Sequence, residues 1–489
     1  MQDRISLIYE NAVPHTKKAS VTRAIYDLNV DRMAENACSD KISTDYFLSV
    51  LSALPDTPSD AIYRSAILSD FINHPKLLSS LIQLFRSYDN LRSETEEMTK
   101  EIFRYGVPSG DAGMIDCAYE ELYINAHFAR SVIACFSETY DIFSEFDVKS
   151  SGLLKMKDFC VSMKESKCID EVEKAAERFR SETPDNYVFT ADCLLDEAMR
   201  ISNVLVTDII DVSQKEKKPL RSLFKRKGAK KEIDIGSSAS DNAASVVRAA
   251  LSELSALFSD IASGIYSVFY GIGEELRFYT VACEIAKKLT EAGMNYVFPT
   301  VKEKEELCFN AKGMYDLLLL SEGKSSDSIV KNDLCCDERG ILAMGDNNCG
   351  KTSFLRSVGS AVLFAQNGLF VCADEASISV RSGIFTHFSS AEKDFTVGDA
   401  AGRFEGEVID IAKIIDEITP YSLVLLNESF QTTSYREGAD GMKAILDVLP
   451  RLSVTYIFVT HIMAMIRLFK KDEVRLLKAE GFKLIEREE

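Results

Sequence analysis

At 489 residues, with 46% apolar and 27% charged residues, 24 Gly and only 10 Pro, the chain has an ordinary globular composition, neither disordered nor fibrous. Its length allows roughly two to four domains. A formal net charge of −19 excludes bulk attraction to nucleic acid, so a DNA contact would need a local basic patch.

From the amino terminus, MQDRISLIYENAVPH has no apolar signal core, and the twelve cysteines are scattered without a CxxC pair. Reduced thiols and a cytoplasmic location are expected. No apolar run reaches the roughly 18 residues that a membrane span needs, so no membrane contact is expected. The five histidines lie far apart and lack partners at zinc-ligand spacing.

Residues 1–150 read as mostly helical. Apolar positions recur at three and four, as in Leu77, Leu78, Leu81, Ile82 and Leu84, with punctuation at Pro55, Pro58 and Pro75. Such faces must bury against one another, which predicts a helical bundle. Helical patterning continues from about 115 to 210, with FTADCLLDEAMRISNVLVTDIIDV as one of its strongest pieces, and resumes over 246–293. Between these arms, 215–231 carries nine basic residues, Lys225, Arg226 and Lys227 among them. A solvated linker, a phosphate-backbone contact and a protein-docking patch are all compatible with that run. With the flanking helices packed as an antiparallel hairpin, the basic segment would sit at its far end.

From 340 the period changes. ILAMG, ASISV, YSLVLLN and VTYIFVT are strand candidates, the last two continuous apolar runs of the kind parallel sheets bury on both faces. GADGMKAILDVLPRL supplies a crossover helix, making 421–460 a βαβ unit, and a terminal hairpin follows over 474–485.

The first strand runs into Gly345-Asp346-Asn347-Asn348-Cys349-Gly350-Lys351-Thr352-Ser353, which has P-loop spacing. In that motif, backbone N–H groups and a helix N-terminus cradle phosphates, a lysine (here Lys351) reaches the β/γ-phosphates, and a hydroxyl (Thr352) sits on Mg²⁺. The strand candidate YSLVLLN runs into Asn427-Glu428 and VTYIFVT into Thr460-His461. A carboxylate at the Glu428 position can orient or deprotonate water, and His461 can reach a γ-phosphate; surface strand-end residues are the alternative for both.

The ordered set of GDNNCGKTSFLRSVG, LVLLNE, the polar loop SFQTTSYREG and Thr460-His461 resembles the ABC-type ATPase domain of the MutS DNA mismatch-repair family. VKNDL at 330–334 and GIFTHF at 383–388 are similar to further segments of that domain, and the preceding helices are weakly similar to the family's core and lever regions. The resemblance implies a multidomain protein, with a helical core domain (1–150), helical lever arms (151–310) joined by the basic segment 215–231, and an α/β P-loop NTPase domain of ABC/MutS type (311–489). It implies ATP and Mg²⁺ as ligands, with Thr352, Asn427 and Glu428 at the metal, Glu428 as catalytic carboxylate and His461 as switch histidine. GDAAGRFEGEV resembles the signature segment that closes over a neighbouring subunit's γ-phosphate, here through Gly402, Arg403, Phe404 and Glu407. A homodimer through the ATPase domain follows from that likeness.

Four departures qualify the expectation. Asn427 stands where the family has a charged Walker B aspartate, and Gly402 removes a serine hydroxyl. The chain ends at Glu489, soon after the terminal hairpin, and helical-core sequence begins almost at residue 1, without a mismatch-reading domain. The expected function is ATP hydrolysis at a dimer interface, coupled to movement of helical arms on duplex or branched DNA. The alternative is a nucleotide-gated interaction protein with little or no turnover.

Overall fold

The structure is a computed structural model, and it describes residues 5–102, 104, 111–179, 187–195, 201–211, 240–321, 323–336, 340–388, 400–430, 435–461, 467–469 and 473–486. The chain begins with helices α1 (Ala19–Asp27), α2 (Val30–Ala37), α3 (Lys41–Ser52), α4 (Pro58–Asn73), α5 (Pro75–Ile102), α6 (Asp111–Ser144), α7 (Ser151–Lys164) and α8 (Lys167–Ala176). Strands β1 (Tyr187–Leu195) and β2 (Ile201–Asp211) precede the long helix α9 (Ser240–Glu291). Then come β3 (Thr300–Lys302), β4 (Phe309–Met314), α10 (Leu318–Ser321), β5 (Asn332–Cys336), β6 (Gly340–Met344), α11 (Lys351–Gln366), β7 (Glu375–Ser379) and β8 (Ile384–Phe388). The chain closes with α12 (Ala400–Glu417), β9 (Leu423–Asn427), α13 (Tyr435–Val448), β10 (Thr455–Thr460), β11 (Arg475–Glu480) and β12 (Lys483–Glu486).

One expectation is corrected here. The helical pattern assigned to 187–211 is instead an antiparallel strand pair, with Tyr187 opposite Asp211 and a register shift between Thr190 and Ala191. Ile201, Val204, Val206, Thr207, Ile209 and Ile210 explain it, because β-branched side chains lose rotamer freedom on a helix and fit a pleated strand. The basic segment is therefore preceded by a strand, not by the first arm of a helical hairpin. The segment itself, with Lys225, Arg226 and Lys227, lies outside the described residues.

The chain forms two compact units. One comprises residues 1–5, 76–148 and 153–273. Its helices bury a chain of aromatic rings, with Phe136 and Phe269 at 5.1 Å between centroids and Phe85 and Phe269 at 5.6 Å. A buried hydrogen bond from Asn125 Nδ2 to Ser255 Oγ, 2.9 Å, ties α6 to α9 within that core.

The other unit comprises residues 6–75, 149–152 and 274–489. It holds α1–α4, the carboxyl end of α9 and two sheets. The larger sheet has the order β12-β11-β6-β10-β9-β8. All its neighbouring pairs are parallel except β11 with β12. Every residue of β6 and β10 is buried, as the apolar runs demand of strands covered on both faces. Gly340 is required for the central pair, since a Cβ there would lie 2.5 Å from the Tyr456 ring. Helix α11 comes so close to the sheet that a Cβ on Gly359 would meet Leu425 at 2.7 Å and Leu28 at 2.5 Å. The second sheet has the order β3-β7-β4-β5.

Candidate functional site

Three adjacent parallel strands end on one edge of the larger sheet. β6 leads into Gly345, β9 into Glu428 and β10 into His461, with Val459 paired to Asn427 and Thr460 to Met344. The carboxyl edge of such a sheet is where α/β folds hold ligands.

Between β6 and α11, Asn348 (φ 60°) and Gly350 (φ 83°) adopt left-handed backbone. That conformation costs an ordinary side chain about 1 kcal/mol and glycine little. Gly350 is also needed sterically, because a Cβ there would meet the Phe482 ring at 3.1 Å and its backbone at 3.4 Å. At Gly345 a Cβ would lie 2.7 Å from both Cys349 Sγ and Ala479 Cβ. Gly350 caps α11 without a side-chain hydrogen bond. The first-turn N–H groups of that 16-residue helix therefore present their partial positive charge at the turn.

Lys351 is only 4% exposed. Its ammonium donates to the carbonyls of Gly345 (2.8 Å) and Asp346 (2.6 Å), and Glu428 Oε1 stands 3.7 Å away. A buried cation beside open helix N–H groups fits a phosphate anion. Next to it, Thr352 Oγ1 donates to Asn427 Oδ1 at 3.3 Å, and Glu428 Oε2 lies 3.4 Å from His461 Nδ1. Thr352, Asn427 and Glu428 thus offer hard oxygens, the donor type Mg²⁺ takes. Among the described residues no group of three or more His, Cys, Asp or Glu side chains is placed to hold a metal by itself.

The turn after β9 is held at three points. Glu428 (φ 55°) and Phe430 (φ 64°) are both left-handed. The Glu428 amide donates to Val459 O at 2.8 Å, the Phe430 amide to Glu407 Oε2 at 2.8 Å, and Ser429 Oγ is 2.7 Å from His387 Nδ1. Burial and the nearby Arg23 guanidinium push His387 down to about 4, so the ring is neutral at pH 7.

The structure gathers Asn347 to Ser353, Asn427 and Glu428 on one open cleft of about 1450 Å³, within the second unit; Gly345 and Asp346 lie behind it, their carbonyls accepting from Lys351. His461 joins them through Glu428. Gly402, Arg403 and Phe404 fall at the start of α12, and their side chains are outside the described set. Glu407, one turn later, bonds within its own chain to the Phe430 amide.

Several residues of the site escaped sequence reasoning. Tyr26, Asp27, Asn29 and Arg32, from the first two helices, line the cleft hundreds of residues away in sequence from the phosphate turn. Thr386 Oγ1 on β8 donates to Asp27 Oδ2 at 2.6 Å, which fixes α1 against the sheet. Phe482, 54% exposed at the tip of the terminal hairpin, overhangs Gly350. Asn332 holds that hairpin, accepting from the Leu484 amide at 2.8 Å. The one sequence signal for Phe482 was an aromatic directly after a hairpin glycine.

Fold and site together define an α/β protein with a glycine-rich turn, a buried lysine and a carboxylate–histidine pair on the carboxyl edge of a parallel sheet. Residues 341–483 match MutS domain V, and over that region the chain is similar to proteins of the MutS DNA mismatch-repair family. It is 36% identical over 138 residues to the DNA mismatch repair protein MutS of Methanococcoides burtonii, covering 27% of this chain and 15% of that protein. The DNA mismatch repair protein Msh3 of Mus musculus is 30% identical over 185 residues, covering 37% and 16% respectively. Endonuclease MutS2 of Thermus thermophilus is 32% identical over 135 residues, covering 27% and 18%. Each match thus spans less than a fifth of the relative's own length.

Proposed function

We propose that the chain binds and hydrolyses ATP at an ABC-type P-loop site and uses that cycle to act on DNA. The observation that carries this reading is the convergence of buried Lys351, the Thr352–Asn427 pair and the Glu428–His461 pair at three adjacent strand ends. Lys351 and the N–H groups of 345–353 hold the phosphates. Thr352, Asn427 and Glu428 hold Mg²⁺, which when bound neutralises phosphate charge as it develops. Glu428 orients water and accepts its proton, and His461, 3.4 Å from that carboxylate, donates toward the γ-phosphate. Gly402, Arg403 and Phe404, at the start of α12, would be offered to a second subunit, so two copies would share two sites. Nucleotide state would then be passed to the helical regions on duplex or branched DNA, with Lys225, Arg226 and Lys227 as phosphate contacts. Relatives named as DNA mismatch-repair proteins support the DNA assignment.

One observation favours a second reading, nucleotide-gated interaction without turnover. The residue facing Thr352 is an uncharged amide, Asn427, at 3.3 Å, and it contributes no charge to a metal shell. Steady-state ATP turnover of the wild type beside Glu428→Gln and Asn427→Asp decides between them. Hydrolysis predicts a wild-type rate well above Glu428→Gln and a further gain in Asn427→Asp. A wild-type rate equal to that of Glu428→Gln, with ATP still bound, selects the second reading.

A further inference from the structure

The backbone that carries Glu428 is strained and depends on a group outside its own strand. Two non-glycine residues of a three-residue turn, Glu428 at φ 55° and Phe430 at φ 64°, lie in the left-handed region. That region is strained for a residue with a Cβ, and such geometry persists only where surrounding contacts over-determine it. The first contact is the Glu428 amide on Val459 O, 2.8 Å, from the neighbouring strand. The second is buried Ser429 against buried His387, 2.7 Å. The third comes from a helix: Glu407 Oε2 on α12 accepts the Phe430 N–H at 2.8 Å, while the Phe430 side chain, 5% exposed, packs into the sheet's core with Ile411 and Ile414 of the same helix. A carboxylate accepting a backbone N–H is among the stronger hydrogen bonds, and here it fixes the residue two places beyond Glu428.

We propose that Glu407 is a positioning residue in cis: by holding the Phe430 amide it latches α12 to the turn that presents Glu428, so the seating of α12 sets where that carboxylate points. His387, through Ser429, holds the middle of the same turn. The inference rests on Glu428 being the carboxylate that orients water. It gives Glu407 a task inside its own chain, distinct from contact with a second subunit. When α12 is displaced, the Phe430 amide loses its acceptor and Glu428 drifts from both Lys351 and His461. Misplacement of a catalytic group by about 1 Å costs up to about 100-fold in rate.

The test compares wild type, Glu407→Gln, Glu407→Ala and Glu428→Gln for ATP turnover, Mg·ATP affinity and hydrogen exchange resolved to the Phe430 amide. Glu407→Gln keeps an acceptor oxygen and should retain turnover within about threefold and exchange close to wild type. Glu407→Ala should lose about tenfold or more in kcat, hold its Mg·ATP Kd within about twofold, and expose the Phe430 amide to faster exchange. Unchanged exchange in Glu407→Ala overturns the latch. Faster exchange with wild-type turnover overturns the positioning role, as does a parallel loss of turnover and Mg·ATP binding, which would mark a general folding defect. A wild-type rate no higher than that of Glu428→Gln is a separate failure. It removes hydrolysis, and the positioning role with it, whatever the exchange data say of the latch.

Discussion

Lys351 is the residue on which the proposed nucleotide binding turns. Its buried ammonium is held by two loop carbonyls within 2.8 Å and is ready for an anion at the N-terminus of α11. Hydrogen bonds to charged groups are worth about 1.5–3 kcal/mol, so Lys351→Ala should weaken Mg·ATP binding by about 10- to 100-fold in an equilibrium titration. An unaltered Kd would mean that the turn does not hold the triphosphate. His387 makes a pH prediction. Its folded value of about 4 lies below the ordinary 6.5, so on acidification the unfolded chain takes up the proton first. Its contribution is complete above pH 6.5 and is lost as the pH falls toward 4, about 3 kcal/mol in all. Arg23 beside it favours the neutral ring, and Asp410 opposes Arg23. Urea midpoints at pH 7 and pH 4.5 should therefore converge more in His387→Asn than in wild type. An equal drop in both would remove His387 as the source.

At the scale of elements, the turn 428–430 depends on packing as much as on hydrogen bonds. Phe430 is 5% exposed among Val424, Leu426 and Phe458, so Phe430→Ala should cost about 3–5 kcal/mol in chemical denaturation. A loss under about 1 kcal/mol would show that the ring is not part of that core. Gly340→Ala should destabilise by the opposite route, overpacking, since its Cβ would lie 2.5 Å from the Tyr456 ring in the central strand pair. These elements were legible in the sequence where one force dominated. Continuous apolar runs in LVLLN and TYIFVT, with a helix between, admit only buried parallel strands. The 187–211 pair was misread because its apolar residues also recur at three and four, and the density of Ile, Val and Thr decided for strands. Within the site, the closeness of Lys351, Thr352 and Glu428 was readable because motif spacing and strand order bring them to one sheet edge. His387 and the cis role of Glu407 were not, since β8, α12 and the turn after β9 come together only through the fold.

For the whole molecule, distance along the chain says little about proximity. Residues 6–75 belong to the same compact unit as 274–489, and helices α1 and α2 put Tyr26, Asn29 and Arg32 on the wall of the cleft. The Asp27–Thr386 hydrogen bond, 2.6 Å, links that wall to the sheet. Against a net charge of −19, the basic segment is where the proposed DNA contact would fall. Reversing Lys225, Arg226 and Lys227 to glutamate should weaken duplex binding and flatten its log–log salt dependence by about three. An unchanged slope would assign DNA contact to another surface. The central claim, that these strand ends form a working ATPase, is tested most directly by one measurement: steady-state ATP turnover of the wild type and Glu428→Gln at saturating Mg·ATP. The account predicts measurable wild-type turnover that falls by about 100-fold or more in Glu428→Gln while Mg·ATP stays bound. Equal rates in the two proteins would contradict it.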